Sequence, residues 1–162
     1  MLVKEWNELP KFMQVEEVKP YYKVLRKKKG QLILKRIFDI CASLVLIVLL
    51  SPIILFFSIW IKLDSKGPVF YRQERITQYG KVFRIFKFRT MVNNADKIGN
   101  LVTSKNDSRI TKVGERIRKY RVDEIPQLFN VLIGDMSFVG TRPEVKINIH
   151  LRCMRHCYFL QG

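Results

Sequence analysis

The chain has 162 residues, with 30 Lys+Arg against 14 Asp+Glu and a formal net charge of +16, an excess that calls for an anionic partner: nucleic acid, anionic lipid or a phosphorylated substrate. Hydrophobic residues make up 48% of it and concentrate in one run, which argues against a soluble nucleic-acid binder. Cys41, Cys153 and Cys157 have no framework spacing, which argues against a disulfide-built secreted domain, and MLVKEWNELPKF lacks the apolar core of a signal peptide.

Residues 1–34 are mixed in character, and Pro10, Pro20 and Gly30 divide them into short pieces. Trp6, Phe12, Tyr21 and Tyr22 alternate with Lys19, Lys23 and the run Arg26 to Lys29. The composition suits the headgroup region of a bilayer and equally suits a solvated leader.

No residue from Ile40 to Ile61 is charged, the length of a transmembrane helix. Ser51 and Pro52 sit at its middle, and Pro52 cannot donate the hydrogen bond owed to the Val48 carbonyl. Each half holds about 10 residues, roughly 15 Å of helix, or half of a ~30 Å hydrocarbon core. Lys35 and Arg36 precede the run, and Lys62 and Lys66 follow it. Cations at both ends favour the cytoplasmic side for each. Two geometries satisfy this pattern: a re-entrant helix-break-helix, in which the Ser51 hydroxyl serves a freed backbone group, or a kinked helix that spans. Asp39, at the apolar boundary, lies one turn from Lys35 and Arg36 and is expected to pair with them or to reach the interface.

After Gly67 and Pro68 two β-rich runs flank a turn at Gln78 to Lys81 and predict a β-hairpin. Arg72, Arg75, Arg84, Lys87 and Arg89 alternate with Phe70, Tyr71, Phe83, Phe86 and Phe88. That mixture fits single-stranded nucleic acid, a nucleotide pocket or a phospholipid surface. Val92 to Ser108 is loop-like, with a short helix at Asn93 to Lys97. Ile110, Val113, Ile117 and Tyr120 then recur at helical spacing, opposite Lys112, Arg116 and Lys119. IPQLFNVLIG predicts a short helix, with Pro126 in its first turn and Gly134 as its C-cap. The predicted fold is α+β: a small, mainly helical domain with a β-hairpin and a membrane segment.

Asp123 and Glu124 therefore stand at or just before a helix N-terminus. Capping alone would be worth about 1 kcal/mol. Arg118 and Arg121 precede the acids, however, and Arg142 follows in GTRPE. Arginines around two carboxylates suit a diphosphate ligand. Such a carboxylate pair holds Mg²⁺ against phosphate oxygens, and a carboxylate also serves as nucleophile on phosphorus. The residues thus point to phosphoryl-type chemistry at a membrane surface. The chain has no GxxxxGK[ST], HExxH or GxSxG, and the basic hairpin matches no nucleic-acid motif, so no nucleic-acid partner is expected.

The motifs KRIFD at 35–39, SP at 51–52, DSKGPVFYRQERI at 64–76, GKVFRIFKFRTM at 80–91 and DSRITKVGERIRKYRVDEIPQLFNVLIGDMSFVGTRPE at 107–144 occur in the order found in monotopic polyprenyl-phosphate phosphoglycosyl transferases, the bacterial sugar transferases. The chain resembles that family over roughly residues 35–145. The resemblance implies a re-entrant membrane helix at 35–63 broken at Ser51 and Pro52, and a catalytic domain at 64–145 on the cytoplasmic face of the bacterial inner membrane. It implies transfer of a sugar-1-phosphate from a UDP-sugar to undecaprenyl phosphate, with release of UMP, at the start of capsule, exopolysaccharide or glycoconjugate synthesis. Asp123 matches the family nucleophile, which carries a phosphosugar intermediate. Glu124 matches the second acid, which assists with Mg²⁺ or protons. Arg118 and Arg142 match arginines near the substrate phosphates, and Lys87 and Arg89 are further candidates for that contact. Lys35, Arg36 and Asp39 match the family's residues at the membrane interface.

From Lys146 the chain departs from the family pattern and reads KINIHLRCMRHCYFLQG. This composition predicts a frameshifted or truncated tail, with a catalytically inactive membrane-bound fragment as the alternative to an active enzyme. Cys153, His156 and Cys157 there lack a second ligand pair for a metal site.

Overall fold

The apolar run lies within one long helix, long and apolar enough by length and composition to cross a membrane. The computed structural model describes residues 4–76, 80–93, 95, 107–140 and 143. Three single-turn 3-10 segments, Trp6–Glu8, Lys11–Met13 and Glu16–Val18, precede helix α1, Lys19–Lys27. Helix α2, Lys29–Asp64, follows, then strands β1, Phe70–Ile76, and β2, Val82–Phe88. Helix α3 is Lys112–Lys119, a 3-10 turn covers Val122–Glu124, and helix α4 is Gln127–Ile133. The chain groups into two compact units: Met1–Ser43, Glu74–Arg84 and Val131–Gly162 in the first, Leu44–Gln73 and Ile85–Asn130 in the second.

Helix α2 runs unbroken through Pro52. The expected break is thus not an interruption of helical structure. Its physical reason lies one residue earlier: the Ser51 hydroxyl donates to the Val48 carbonyl at 2.7 Å. That is the acceptor the proline leaves without its amide. The helix also begins at Lys29 and carries Gly30 inside it, so Gly30 is not the breaker its residue type predicts. Leu34, Val48, Leu49, Leu55 and Leu63 are each more than 60% exposed. An apolar surface of this extent on one helix marks a membrane or a partner.

In the first unit, Tyr22 of α1 is buried against the leading turns. Its ring meets Trp6 edge-on at 5.1 Å, and its hydroxyl donates to the Lys4 carbonyl at 3.2 Å. Further along, Arg36 donates to the Val131 and Leu132 carbonyls at 2.7 and 2.9 Å. Lys35 donates to the Val139 carbonyl at 2.6 Å. Arg36 thus serves the carbonyl end of α4, where the helix dipole is negative, and Lys35 holds the loop that follows it. Gly134, at φ 104°, follows that helix as its predicted cap, and a Cβ there would come within 2.9 Å of Arg36 Nη2. Asp39, 3% exposed, does not pair with Lys35 or Arg36. It accepts instead from the Ser137 hydroxyl at 2.6 Å and the Phe138 amide at 3.3 Å. The cations are drawn to carbonyls with no helical donor, which leaves the carboxylate to the loop's own donors.

The second unit holds the main core. Ile61 of α2, Phe88 of β2 and Val113 and Ile117 of α3 are buried together, with Ile54, Phe57, Trp60, Val69 and Val122 around them. Val113 and Ile117 keep the predicted spacing. Tyr120 does not join them: it lies past the end of α3 and is 71% exposed. The helix stops short of it, with a cap backbone outside the helical region.

The hairpin forms as predicted, with β1 beside β2. Phe70 stacks on Phe88 at 5.6 Å, Arg72 lies over Phe86 at 4.9 Å and Glu74 meets Arg84 at 3.4 Å. One antiparallel register relates all three pairs. Residues 77–79 of the turn, most of the predicted helix at 93–97, Arg142 and the tail from 144 lie outside the described residues.

Candidate active site

The site is built on the exit of β2. Phe83 and Ile85 are buried on one face of the strand. Alternation puts Lys87 on that same face, and its side chain is only 17% exposed. Beyond the strand, Arg89 and Thr90 are also buried. Thr90 is a junction. Its carbonyl accepts from the Thr111 amide at 3.1 Å, and its hydroxyl accepts from Arg118 Nε at 2.7 Å.

Helix α3 starts against this junction. Thr111 caps it, its hydroxyl accepting from the Gly114 amide at 3.0 Å. A Cβ on Gly114 would lie 2.0 Å from the Thr90 carbonyl oxygen, so the residue type is dictated by the close approach. Just before α3, Asp107 grips Arg109 bidentately at 2.6 and 2.8 Å, and Arg109 Nη1 reaches the Ala95 carbonyl at 3.0 Å. The Arg109 guanidinium holds the Asp107 carboxyl down to about 2.

After α3, Arg121 takes the left-handed conformation at φ 58°, a costly one for a residue with a Cβ. It reverses the chain into the Val122–Glu124 turn that carries both acids. Pro126, fully buried, then leads into α4, and the buried Asn130 Oδ1 accepts from the Phe86 amide at 2.8 Å. The acids therefore stand just ahead of a helix N-terminus, as predicted, beside the strand that presents Lys87.

Glu124 Oε1 lies 3.4 Å from Lys87 Nζ and 3.9 Å from Arg121 Nη1. Asp123 is half-buried. Burial raises its carboxyl above the ordinary 3.8, Glu124 raises it further, and Lys87, a backbone hydrogen bond and Arg118 oppose the rise. The result is a carboxylate of raised basicity with two cations in electrostatic reach. Arg118 commits only Nε to Thr90. Its two terminal nitrogens bond to none of the described residues, and such a pair has the geometry of a bidentate contact with a phosphate.

Asp123, Glu124, Lys87 and Arg118 are thus brought into one neighbourhood. Arg89 is not presented at the surface. It is 6% exposed and donates through Nη2 to the Ser65 carbonyl and hydroxyl, both at 2.7 Å. Gly67, at φ 131°, leaves the room: a Cβ there would sit 2.3 Å from Arg89 Nη1. Burial lowers the affinity of Arg89 for its proton, and the charge of Asp64 opposes that. Arg89 is thus a buried cation tied to Ser65 through Nη2, with Nε and Nη1 meeting no partner among the described residues, rather than one presented at the surface. Thr90 was missed, because a lone threonine after a strand carries no chemical signal in sequence.

Among the described residues no cluster of three or more His, Cys, Asp or Glu side chains forms a preassembled metal cage. Two adjacent carboxylates nonetheless fit Mg²⁺, which typically takes one or two protein carboxylates and completes its shell from substrate phosphates and water.

One consequence is testable in the pH profile. Removing the Lys87 charge withdraws an influence that lowers Asp123, so Lys87→Met should move the acidic limb of any Asp123-dependent rate to higher pH. A limb that stays in place or moves down would contradict this placement of Lys87.

The profile of the family described as bacterial sugar transferase matches residues 30–158. The match starts ahead of the KRIFD motif and runs into the segment set apart at Lys146. A Bacillus subtilis (strain 168) relative, provisionally named an undecaprenyl-phosphate N-acetylgalactosaminyl 1-phosphate transferase, is 46% identical over 118 residues, covering 73% of this chain and 66% of its own length. An Aeromonas hydrophila protein named UDP-N-acetylgalactosamine-undecaprenyl-phosphate N-acetylgalactosaminephosphotransferase is 48% identical over 111 residues, covering 68% of this chain and 26% of its own length. A Klebsiella pneumoniae protein named UDP-glucose:undecaprenyl-phosphate glucose-1-phosphate transferase is 43% identical over 133 residues, covering 80% and 28%. The chain thus spans between about a quarter and two thirds of these relatives.

Proposed function

Because the chain belongs to the bacterial sugar transferase family, we propose that it transfers a sugar-1-phosphate from a UDP-sugar to undecaprenyl phosphate. The carrying observation is the half-buried Asp123, beside Glu124, with Lys87 and Arg118 in electrostatic reach. A carboxylate oxygen of Asp123 attacks the sugar-bearing phosphorus of the donor. The bond from that phosphorus to the bridging oxygen breaks, and UMP leaves with the electron pair. A phosphate oxygen of undecaprenyl phosphate then attacks the same phosphorus and returns the carboxylate. Cations are required because a carboxylate approaching a diphosphate otherwise meets like charge. Arg118, held through Nε by Thr90, offers its terminal fork to the diphosphate. Lys87 holds Glu124 and moderates the basicity of Asp123. Asp123 and Glu124 are the residues that would hold Mg²⁺, which when bound neutralises phosphate charge.

The exposed apolar flank of α2 supports a membrane seat. The uncharged run from Ile40 to Ile61 is roughly 33 Å long as a straight helix, close to the ~30 Å core, and it is the cations at both ends that favour re-entry. The segment bends at Pro52, dips into the cytoplasmic leaflet of the bacterial membrane and returns. An open apolar groove lined by Ile47, Ser51, Pro52, Ile54, Leu55, Ser58 and Phe129 offers an isoprenoid chain a dry surface on that segment.

Intact-mass analysis after incubation with a UDP-sugar and no lipid acceptor tests this reading. A sugar-phosphate adduct on the peptide bearing Asp123 is expected, and an adduct on another residue would overturn it. Thr90→Val should raise the KM for the UDP-sugar by roughly 10- to 100-fold, the scale of a lost hydrogen bond to a charged group. Thr90→Ser should stay near the parent. Equal effects of the two changes would show that the hydroxyl does not position Arg118.

A further inference from the structure

Helix α1 lies ahead of the family-matched residues 30–158, and the proposed transfer assigns it no role. Tyr22 points one side of the helix onto the leading turns, where it is buried. Val24 and Leu25, on another side, are 53% and 47% exposed, and Tyr21 beside them is 40% exposed. From Lys19 to Lys29 the chain carries Lys19, Lys23, Arg26, Lys27, Lys28 and Lys29 and no acid. Lys19 pairs with Glu16, and Arg26 lies 3.6 Å from Glu5. Among the described residues, Lys23, Lys27, Lys28 and Lys29 make no ion pair and are exposed. An apolar patch bordered by unneutralised lysines, continuous in sequence with an apolar helix, has the chemistry of a helix lying at a lipid interface.

We propose that α1 docks on the surface of an anionic phospholipid bilayer, with Val24 and Leu25 in the headgroup boundary and the four lysines on lipid phosphates. This second membrane contact rests on the reading of α2 as a membrane segment and not on the transfer reaction. Charge complementarity selects the occupant. A protein partner for the apolar patch would have to supply several acids around it, whereas an anionic leaflet supplies them everywhere. Each lysine near such a surface favours association about fivefold, so four together give a preference of roughly several hundredfold over a zwitterionic bilayer.

Backbone hydrogen exchange of residues 19–28 tests this on the full chain, in nanodiscs of phosphatidylcholine alone or mixed with phosphatidylglycerol. Exchange should slow at least about tenfold in the anionic discs, and the difference should vanish in high salt. Changing Lys23, Lys27, Lys28 and Lys29 together to Gln should abolish the difference, and changing all four to Arg should keep it. Equal exchange in both discs overturns the proposal. So does slowing that depends on protein concentration and not on lipid charge, which would assign the patch to a second copy of the chain. A chain that stays with neither disc overturns the membrane reading of α2 itself, whereas loss of transferase activity leaves this readout untouched.

Discussion

Replacing Asp123 by Asn should cost at least about 10⁴-fold in sugar-phosphate transfer, the scale expected when a covalent nucleophile is removed. The fold should not suffer. Burial lifts the folded-state affinity of Asp123 for a proton above the ordinary 3.8. The folded state therefore binds that proton more tightly than the unfolded chain does. Stability from this group is fully present below 3.8 and declines as pH rises through the raised folded value, so at neutral pH the charge is a net cost. A neutral amide in place of the acid removes that cost. Turnover and thermal denaturation at pH 7, measured together on the parent and Asp123→Asn, check both halves. A variant that keeps transfer within tenfold would remove Asp123 from the chemistry. One that loses both activity and stability would make the acid a structural group.

Gly114→Ala should be among the most damaging single changes in the second unit, although alanine is the better helix former by about 1 kcal/mol. The new Cβ would meet the Thr90 carbonyl oxygen at 2.0 Å, its carbon at 2.6 Å and its Cα at 2.8 Å. All three are backbone atoms, so no side-chain rotation relieves the overlap. Either α3 or the exit of β2 must move, at a net cost of roughly 3 kcal/mol. The same movement pulls Thr90 away from Arg118, so the Michaelis constant for the donor should rise along with the loss of stability. Chemical denaturation paired with steady-state kinetics on Gly114→Ala checks this. A parent-like denaturation midpoint would mean that α3 does not approach Thr90 so closely.

Much of the fold was legible in the sequence because local patterns carried it. The hairpin followed from alternation around a turn, α3 from Val113 and Ile117, and α4 from Pro126 and Gly134. The pair Asp123 and Glu124 stood out as acids in a basic chain at the start of a helix. What escaped depended on contacts far apart in the sequence. Asp39 lay within reach of Lys35 and Arg36 along its own helix, yet residues 137 and 138 supplied better donors. Arg89 had the neighbours of a surface cation, but Ser65 and the space over Gly67 drew it inward. Pro52 is a helix breaker by residue type, and one hydroxyl at Ser51 let the helix continue through it. Thr90 gained its role only when β2 and α3 met.

The most direct test of the central claim is UMP release by the chain in nanodiscs, with undecaprenyl phosphate, Mg²⁺ and a panel of UDP-sugars. The expected result is UMP release with one sugar or a few, matched by sugar phosphate appearing on the lipid and lost in Asp123→Asn. UMP release that persists in Asp123→Asn, or that leaves no sugar phosphate on the lipid, would contradict it.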